Sequence, residues 1–190
     1  MYPSDPVREI PDHELYLLML SGDRTGFLEL YKRYKHPLFR FAVRMLGNRE
    51  AAEDAVHDTF VRLLVDGQAI TEPSALKAWL YRVVRNESLM ALRRKRDCSE
   101  EQSDTVWETE TPHTAAEHSE TKNLVHKALA ELRTEYREVL LLREFEGLTY
   151  EEIAVVTGDS GSSVKSRLFK ARRALAERLA PIWNEERKNL

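Results

Sequence analysis

Between Asp97 and Thr121 eight acids stand among serines and threonines without one lysine or arginine, and this break constrains the fold more than any other feature. The acids are Asp97, Glu100, Glu101, Asp104, Glu108, Glu110, Glu117 and Glu120. So polar a run cannot bury enough apolar surface to offset the entropy lost on ordering, and it reads as a flexible acidic linker over 97–121. Its length corresponds to roughly 28 Å between ends on average and about 85 Å when stretched. The 190 residues therefore read as two small domains, 1–96 and 122–190, and 42% apolar residues suffice for a core in each. A net charge of −3 conceals an uneven distribution, because the linker masks two basic flanks.

Both flanks read as all-α. Pro3, Pro6 and Pro11 mark an irregular lead-in. Asp12 is expected to cap a helix from His13 to Ser21, closed by Gly22. Asp23 is expected to cap the next, through Phe27, Leu30, Tyr31 and Tyr34 and past Pro37 with a kink, as far as Gly47. Gly26 within it weakens a helix by roughly 1 kcal/mol relative to alanine. Asn48 caps a third helix, Arg49 to about Val65, whose buried stripe is Ala52, Val56, Phe60, Leu63 and Leu64. Another arc of this helix carries Asp54, Asp58, Val61 and Val65. Carboxylates four residues apart repel, and exposed valines gain nothing from water. A protein partner with basic and apolar groups would relieve both problems; a tolerated surface is the alternative. His57 has no second histidine at ligand spacing, so metal or acid–base chemistry is not expected there.

A loop rich in turn residues, Asp66 to Ser74, precedes a fourth helix to about Arg96. Leu76, Trp79, Leu80, Val83, Val84 and Met90 occupy one side, and Arg82, Arg85, Asn86, Arg93 and Arg96 another; Leu89 and Leu92 fall unexplained on the polar side. From Arg82 to Arg96 six basic residues face one acid, Glu87.

After the linker, Leu124, Val125, Ala128, Leu129 and Leu132 resume the helical pattern. Thr134 is expected to cap a helix with Val139, Leu140, Leu142 and Phe145, ended by Gly147. Thr149 stands three residues before Glu152, the spacing of a reciprocal capping box. Gly158 can close that short helix in the left-handed conformation, and Asp159 or Ser160 can cap another beginning near Gly161. Two helices joined so tightly suggest a helix-turn-helix. In the second of them Val164, Leu168, Ala171, Leu175 and Leu179 fall within an arc of about 80°. The opposite side carries Ser162, Lys165, Ser166, Phe169, Lys170 and Arg173, and from Ser162 to Arg178 six basic residues face one acid, Glu177. Small polar side chains followed by cations suit a helix in a major groove; an ordinary solvated amphipathic helix is the alternative.

Several classes are not supported. No stretch looks like a membrane span or secretion signal, so the chain reads as cytoplasmic without membrane insertion. Cys98 stands alone, which gives no disulfide framework, no cysteine metal site and no implied cofactor.

In their order and spacing, three stretches of the first domain resemble the extracytoplasmic-function (group 4) sigma factors of the sigma-70 family. They are G-D-R-T-G-F-L-E-L-Y-K-R-Y from Gly22, L-G-N-R-E-A-A-E-D-A-V-H-D-T-F from Leu46 and A-W-L-Y-R-V-V-R-N from Ala78. Thr149 to Leu179 adds the matching helix-turn-helix. The resemblance implies a subunit that binds core RNA polymerase and directs it to promoter DNA, with sigma region 2 in 1–96 and region 4 in 122–190. It implies polymerase contact through the largest subunit's clamp helices at Asp54, Asp58, Phe60 and Val61. Contact with the −10 element is implied at Arg82, Arg85, Asn86 and Arg93, with the loop from Asp66 to Pro73. Readout of the −35 element is implied at Ser162, Lys165, Ser166, Phe169, Lys170 and Arg173. A cognate anti-sigma factor is a further expected partner, and catalysis would belong to the polymerase. His57 stands where the family often has glutamine, Gly26 where alanine is usual, and Gly161-Ser162 where an apolar residue and a glycine are usual. A free-standing helix-turn-helix regulator is the competing reading, but it leaves the basic helix of the first domain without a use. An enzyme or RNA-binding module would need a catalytic cluster or an aromatic-rich sheet.

Overall fold

In the computed structural model, which describes residues 10–70, 72–97 and 119–186, eight α-helices make up an all-α protein in two halves. The expected linker lies almost wholly outside the described residues, as do Cys98 and Trp107. The first half comprises α1 (Asp12–Leu20), α2 (Arg24–Leu46), α3 (Arg49–Asp66) and α4 (Leu76–Asp97). The second comprises α5 (Ser119–Ala130), α6 (Thr134–Leu140), α7 (Tyr150–Thr157) and α8 (Gly161–Glu186).

Local chemistry sets most boundaries. Asp23 accepts a hydrogen bond from the Thr25 amide at 2.8 Å, and Asn48 from the Ala51 amide at 2.8 Å, so both cap as the sequence predicts. α2 runs unbroken through Pro37 and ends at Gly47, which adopts φ 65°. Asp12 does not cap α1: Pro11 occupies that position, and the Asp12 carboxylate instead accepts from Arg33 and the Tyr34 hydroxyl on α2. A tertiary partner has displaced the local one. Thr134 is likewise the first residue of α6 rather than its cap.

Gly26 has a packing role that helix propensity does not reveal. A Cβ there would lie 2.4 Å from the Leu15 carbonyl oxygen and 2.6 Å from the Met19 nitrogen, so only glycine lets α2 approach the α1 backbone this closely. The core of this half gathers Leu15, Leu30, Leu38, Phe41, Met45, Leu63, Leu76 and Leu80, each at most 1% exposed.

Two wheel assignments are corrected. Leu64, expected in the α3 stripe, is 58% exposed, and Met90, expected in the α4 stripe, is 47% exposed. Leu89 is half-buried against the core instead. The α4 discrepancy has a physical cause: α2, α3 and α7 all pack on this helix, so it buries more than one stripe, including Glu87 and Ser88. Ser88 meets the requirement of a buried hydroxyl by donating to the Val84 carbonyl at 2.7 Å.

In the second half, α6 passes into a π turn over Leu141–Phe145 and then reaches Gly147 at φ 66°. The wider winding buries Leu141 and Leu142 while leaving Phe145 41% exposed under the Arg44 guanidinium, 4.5 Å away on α2. The two halves are in contact: α7 lies against α4, and buried residues of both form one continuous apolar cluster.

Candidate nucleic-acid and polymerase interfaces

The α7–α8 pair is fixed by its own sequence. The Thr149 amide donates to Glu152 Oε2 at 2.7 Å and the Glu152 amide to Thr149 Oγ1 at 3.1 Å, which completes the capping box. Gly158 takes φ 75°, and its amide and that of Asp159 both donate to the Ala154 carbonyl. Ser160 Oγ then accepts from the Ser163 amide at 3.2 Å and starts α8. Asp159 pairs with Arg167 at 2.7 Å, tying the turn to the side of α8. Burial opposes ionisation of Asp159, yet hydrogen bonds from Thr157 and Arg167 and the charges of Arg167 and Arg85 hold its carboxyl below the usual range.

Val164, Leu168 and Ala171 are buried, which orients α8 as its periodicity predicts. Ser162, Lys165, Ser166, Phe169, Lys170 and Arg173 are all exposed on the other side. Phe169 is 70% exposed, an unusual position for a large apolar ring on a soluble surface. This stripe can offer hydroxyls and a ring to base edges and cations to phosphates. Arg173 also pairs with Glu177 on its own helix at 2.9 Å.

The α4 group is divided. Arg82, Asn86 and Arg93 are exposed. Arg85 instead faces the second half, where Nε donates to Glu138 Oε2 at 2.8 Å and Nη2 to Oε1 at 3.2 Å. Before α4, the loop is set by a residue that sequence reasoning missed. The buried Tyr16 hydroxyl donates to the carbonyls of Gly67, at 2.6 Å, and Ile70, at 3.1 Å. Its only sequence signal was one polar atom on an otherwise apolar turn of α1. Burial pushes its pKa up, which keeps the donor protonated.

On α3, Asp54, Asp58 and Val61 share an exposed face with Leu64 and Val65, the last 71% exposed. Phe60 does not join that face. It is 4% exposed, packed 4.7 Å from the Tyr31 ring, and forms the floor of an open groove of about 470 Å³ between α2 and α3. Among the described residues no group of three or more His, Cys, Asp or Glu side chains could hold a metal ion. No helix among them is long and apolar enough to cross a membrane.

Comparison with known families identifies the family of the chain. Residues 30–97 match the Sigma-70 region 2 model and residues 122–175 the Sigma-70, region 4 model. The chain belongs to the sigma-70 family, in its extracytoplasmic-function group. This sigma factor is 30% identical to the RNA polymerase sigma-H factor of Pseudomonas aeruginosa, over 92% of the chain and 96% of that protein. It is 28% identical to the sigma factor YlaC of Bacillus subtilis, over 86% and 98%, and 26% identical to SigW of the same organism, over 85% and 93%. Its fold resembles that of the sigma factor RpoE from Bartonella quintana, solved with the anti-sigma factor NepR. There the TM-score is 0.66 and the identity 28%, covering 80% of this chain and 97% of that one. It also resembles the fold of CnrH, solved with the cytosolic domain of CnrY, with a TM-score of 0.67 and 24% identity over 90% and 97%. The sigma factor directs promoter-specific transcription initiation by RNA polymerase. Sigma factors as a family are not enzymes.

Proposed function

We propose that the work of initiation is divided between the halves, with α8 anchoring the upstream promoter element and α3 and α4 joining polymerase to the strand that is opened. The observation that carries this reading is the exposed stripe of α8, where Phe169 and five polar or basic side chains stand together while the opposite side is buried. In this reading 1–96 acts as region 2, 122–190 as region 4, and 97–121 spans between them. Ser162, Lys165, Ser166, Phe169, Lys170 and Arg173 face the −35 element in the major groove. Arg82, Asn86 and Arg93, joined by Arg85 once it is released, contact the −10 element, where extruded bases exchange stacking in the duplex for contacts on protein. Asp54, Asp58 and Val61, with Leu64 and Val65 beside them, receive the clamp helices of the largest polymerase subunit, and Phe60 supports that face from below. No covalent step is assigned to the chain, which acts in the cytoplasm where polymerase and promoter are.

An anti-sigma factor is a further proposed partner. Support comes from RpoE of Bartonella quintana, which was solved with an anti-sigma factor and shares this fold at 28% identity.

The test is reconstitution: core polymerase with this chain on fragments of its own genome should yield discrete transcripts that core alone does not. Specific duplex binding by the chain alone, without any stimulation of core, would instead favour a free-standing regulator.

A further inference from the structure

Two short turns of 3-10 helix, Gly67–Ala69 and Pro73–Ala75, carry the chain from α3 into α4. Locally, the Ile70 amide donates to the Gly67 carbonyl at 3.0 Å and the Ala75 amide to the Glu72 carbonyl at 2.8 Å. Tyr16 of α1 adds a tertiary hold. Its hydroxyl lies 2.6 Å from the Gly67 carbonyl oxygen, which with the Ile70 amide fills both lone pairs of that oxygen, and 3.1 Å from the carbonyl oxygen of Ile70. The Ile70 side chain is itself buried, and α1 also packs against the Pro73–Ala75 turn. The connection is thus gripped from beneath by α1, while Gln68, Glu72 and Ser74 are exposed. Amide and carboxylate side chains of this kind can hydrogen-bond base edges. Arg82 follows Leu76 by six residues, about 9 Å along the axis of α4, so a strand held at Arg82 and Asn86 passes close to this connection.

We propose that Tyr16 is a positioning residue for promoter recognition, whose hydroxyl holds Gly67 and Ile70 so that Gln68 and Glu72 meet an unpaired base of the −10 element. Tyr16 is 1% exposed and cannot reach DNA itself, so it acts only through the backbone it grips. Two carbonyls three residues apart, held by one atom, fix the tilt of the turn between them as well as its place. Recognition groups must be kept within about 0.5 Å of their working geometry by supporting hydrogen bonds of this kind. A buried hydroxyl that only needed a partner could be satisfied by one carbonyl of its own helix, as Ser88 is by Val84. Tyr16 instead reaches backbone more than 50 residues away, at the entrance to the helix proposed to receive the opened strand.

The role of Tyr16 rests on the reading of α4 and the connection before it as the −10 surface, and the experiment separates the two. Full chains reconstituted with core polymerase are compared on a mapped promoter and on its single-base variants in the −10 element. Tyr16→Phe, which removes one oxygen and keeps the ring, should lower the preference for the mapped element by about threefold to tenfold, the range of one buried hydrogen bond. Binding to core and preference at the −35 element should stay unchanged. Gln68→Ala with Glu72→Ala should lower the preference at the same base positions. In the free chain, exchange of the Ile70 amide with solvent should quicken in Tyr16→Phe. Val43→Ala, a buried truncation at the other end of α2, is the stability control and should lower the melting temperature without changing the preference. Loss of preference in the Gln68 and Glu72 variant but not in Tyr16→Phe would overturn the role of Tyr16, as would an unchanged Ile70 exchange rate. Unchanged preference in both variants would overturn the reading of the connection as well. A loss in Tyr16→Phe that extends equally to the −35 element, or that Val43→Ala reproduces, would show general destabilisation and overturn positioning.

Discussion

The two basic helices, α4 and α8, look alike in sequence, with six cations against one acid over 82–96 and again over 162–178, yet the structure treats them differently. On α8 the side chains opposite the buried stripe are exposed, and only Arg173 among the six candidates is paired along its own helix. On α4 the candidates divide: three are exposed, while Arg85 is held by Glu138 beneath a covering helix. The difference teaches that equal charge does not mean equal availability. The stripe of α8 is free as a whole, whereas on α4 one cation, Arg85, is already engaged by its own chain.

The largest effect should separate the halves completely. Asp54→Arg with Asp58→Arg should weaken binding to core polymerase on the order of 100-fold, because like charges brought together at an interface cost several kcal/mol. The far-ultraviolet circular dichroism should stay unchanged, since both residues are exposed. Wild-type binding by the folded double variant would remove the role of the α3 face.

Gly26→Ala comes next and should affect the first half alone. The added methyl meets backbone atoms at 2.4 and 2.6 Å, so the expected loss is about 1–3 kcal/mol despite better helix propensity. A raised melting temperature would mean that α1 moves aside freely.

On the second half, Phe169→Ala should cost about 1–3 kcal/mol of discrimination at one base position if the ring meets a thymine methyl. Lys170→Ala should weaken binding to all sequences alike and lower the salt slope by about 1. Equal losses on all sequences from both variants would turn α8 into a non-specific anchor. Thr149→Ala should remove about 1 kcal/mol through loss of the capping box, measured by denaturant midpoint.

The smallest effect is a pH dependence confined to the turn. Asp159 has a depressed pKa when folded, so its contribution is complete above the unfolded value near 3.9 and is lost as pH falls through the folded value. Asp159→Asn should therefore flatten a shallow loss of second-half stability below about pH 4. An unchanged acid limb would show that the Arg167 pair contributes nothing to the turn.

What could be read from the sequence follows the range of the interactions. Asp23, Asn48, Thr149 and Gly158 act within four residues, and each does what its type and spacing predict. The periodicity of α8 is equally plain, because one side is buried and the other is free. Asp12 was misassigned because its partners, Arg33 and Tyr34, lie more than 20 residues away in the chain. Met90 and Leu89 exchanged places because α4 is covered on several sides, and a single-stripe pattern cannot express that. Gly26 looked like a weak point because propensity does not register a neighbouring backbone. In the candidate site, the α8 stripe and the acid-and-valine face of α3 were legible as surfaces. The Tyr16 brace and the Arg85–Glu138–Arg167 cluster were not, since each joins groups more than 25 residues apart.

The most direct measurement of the divided roles is permanganate footprinting of a mapped promoter with core polymerase and either the wild type or Arg82→Ala with Asn86→Ala. With the wild type, unpaired thymines should appear around the −10 element. With the variant, protection of the −35 element should persist while that reactivity is lost. Full thymine reactivity with the α4 variant, or its loss only when α8 is altered, would contradict the assignment of opening to the first half and anchoring to the second.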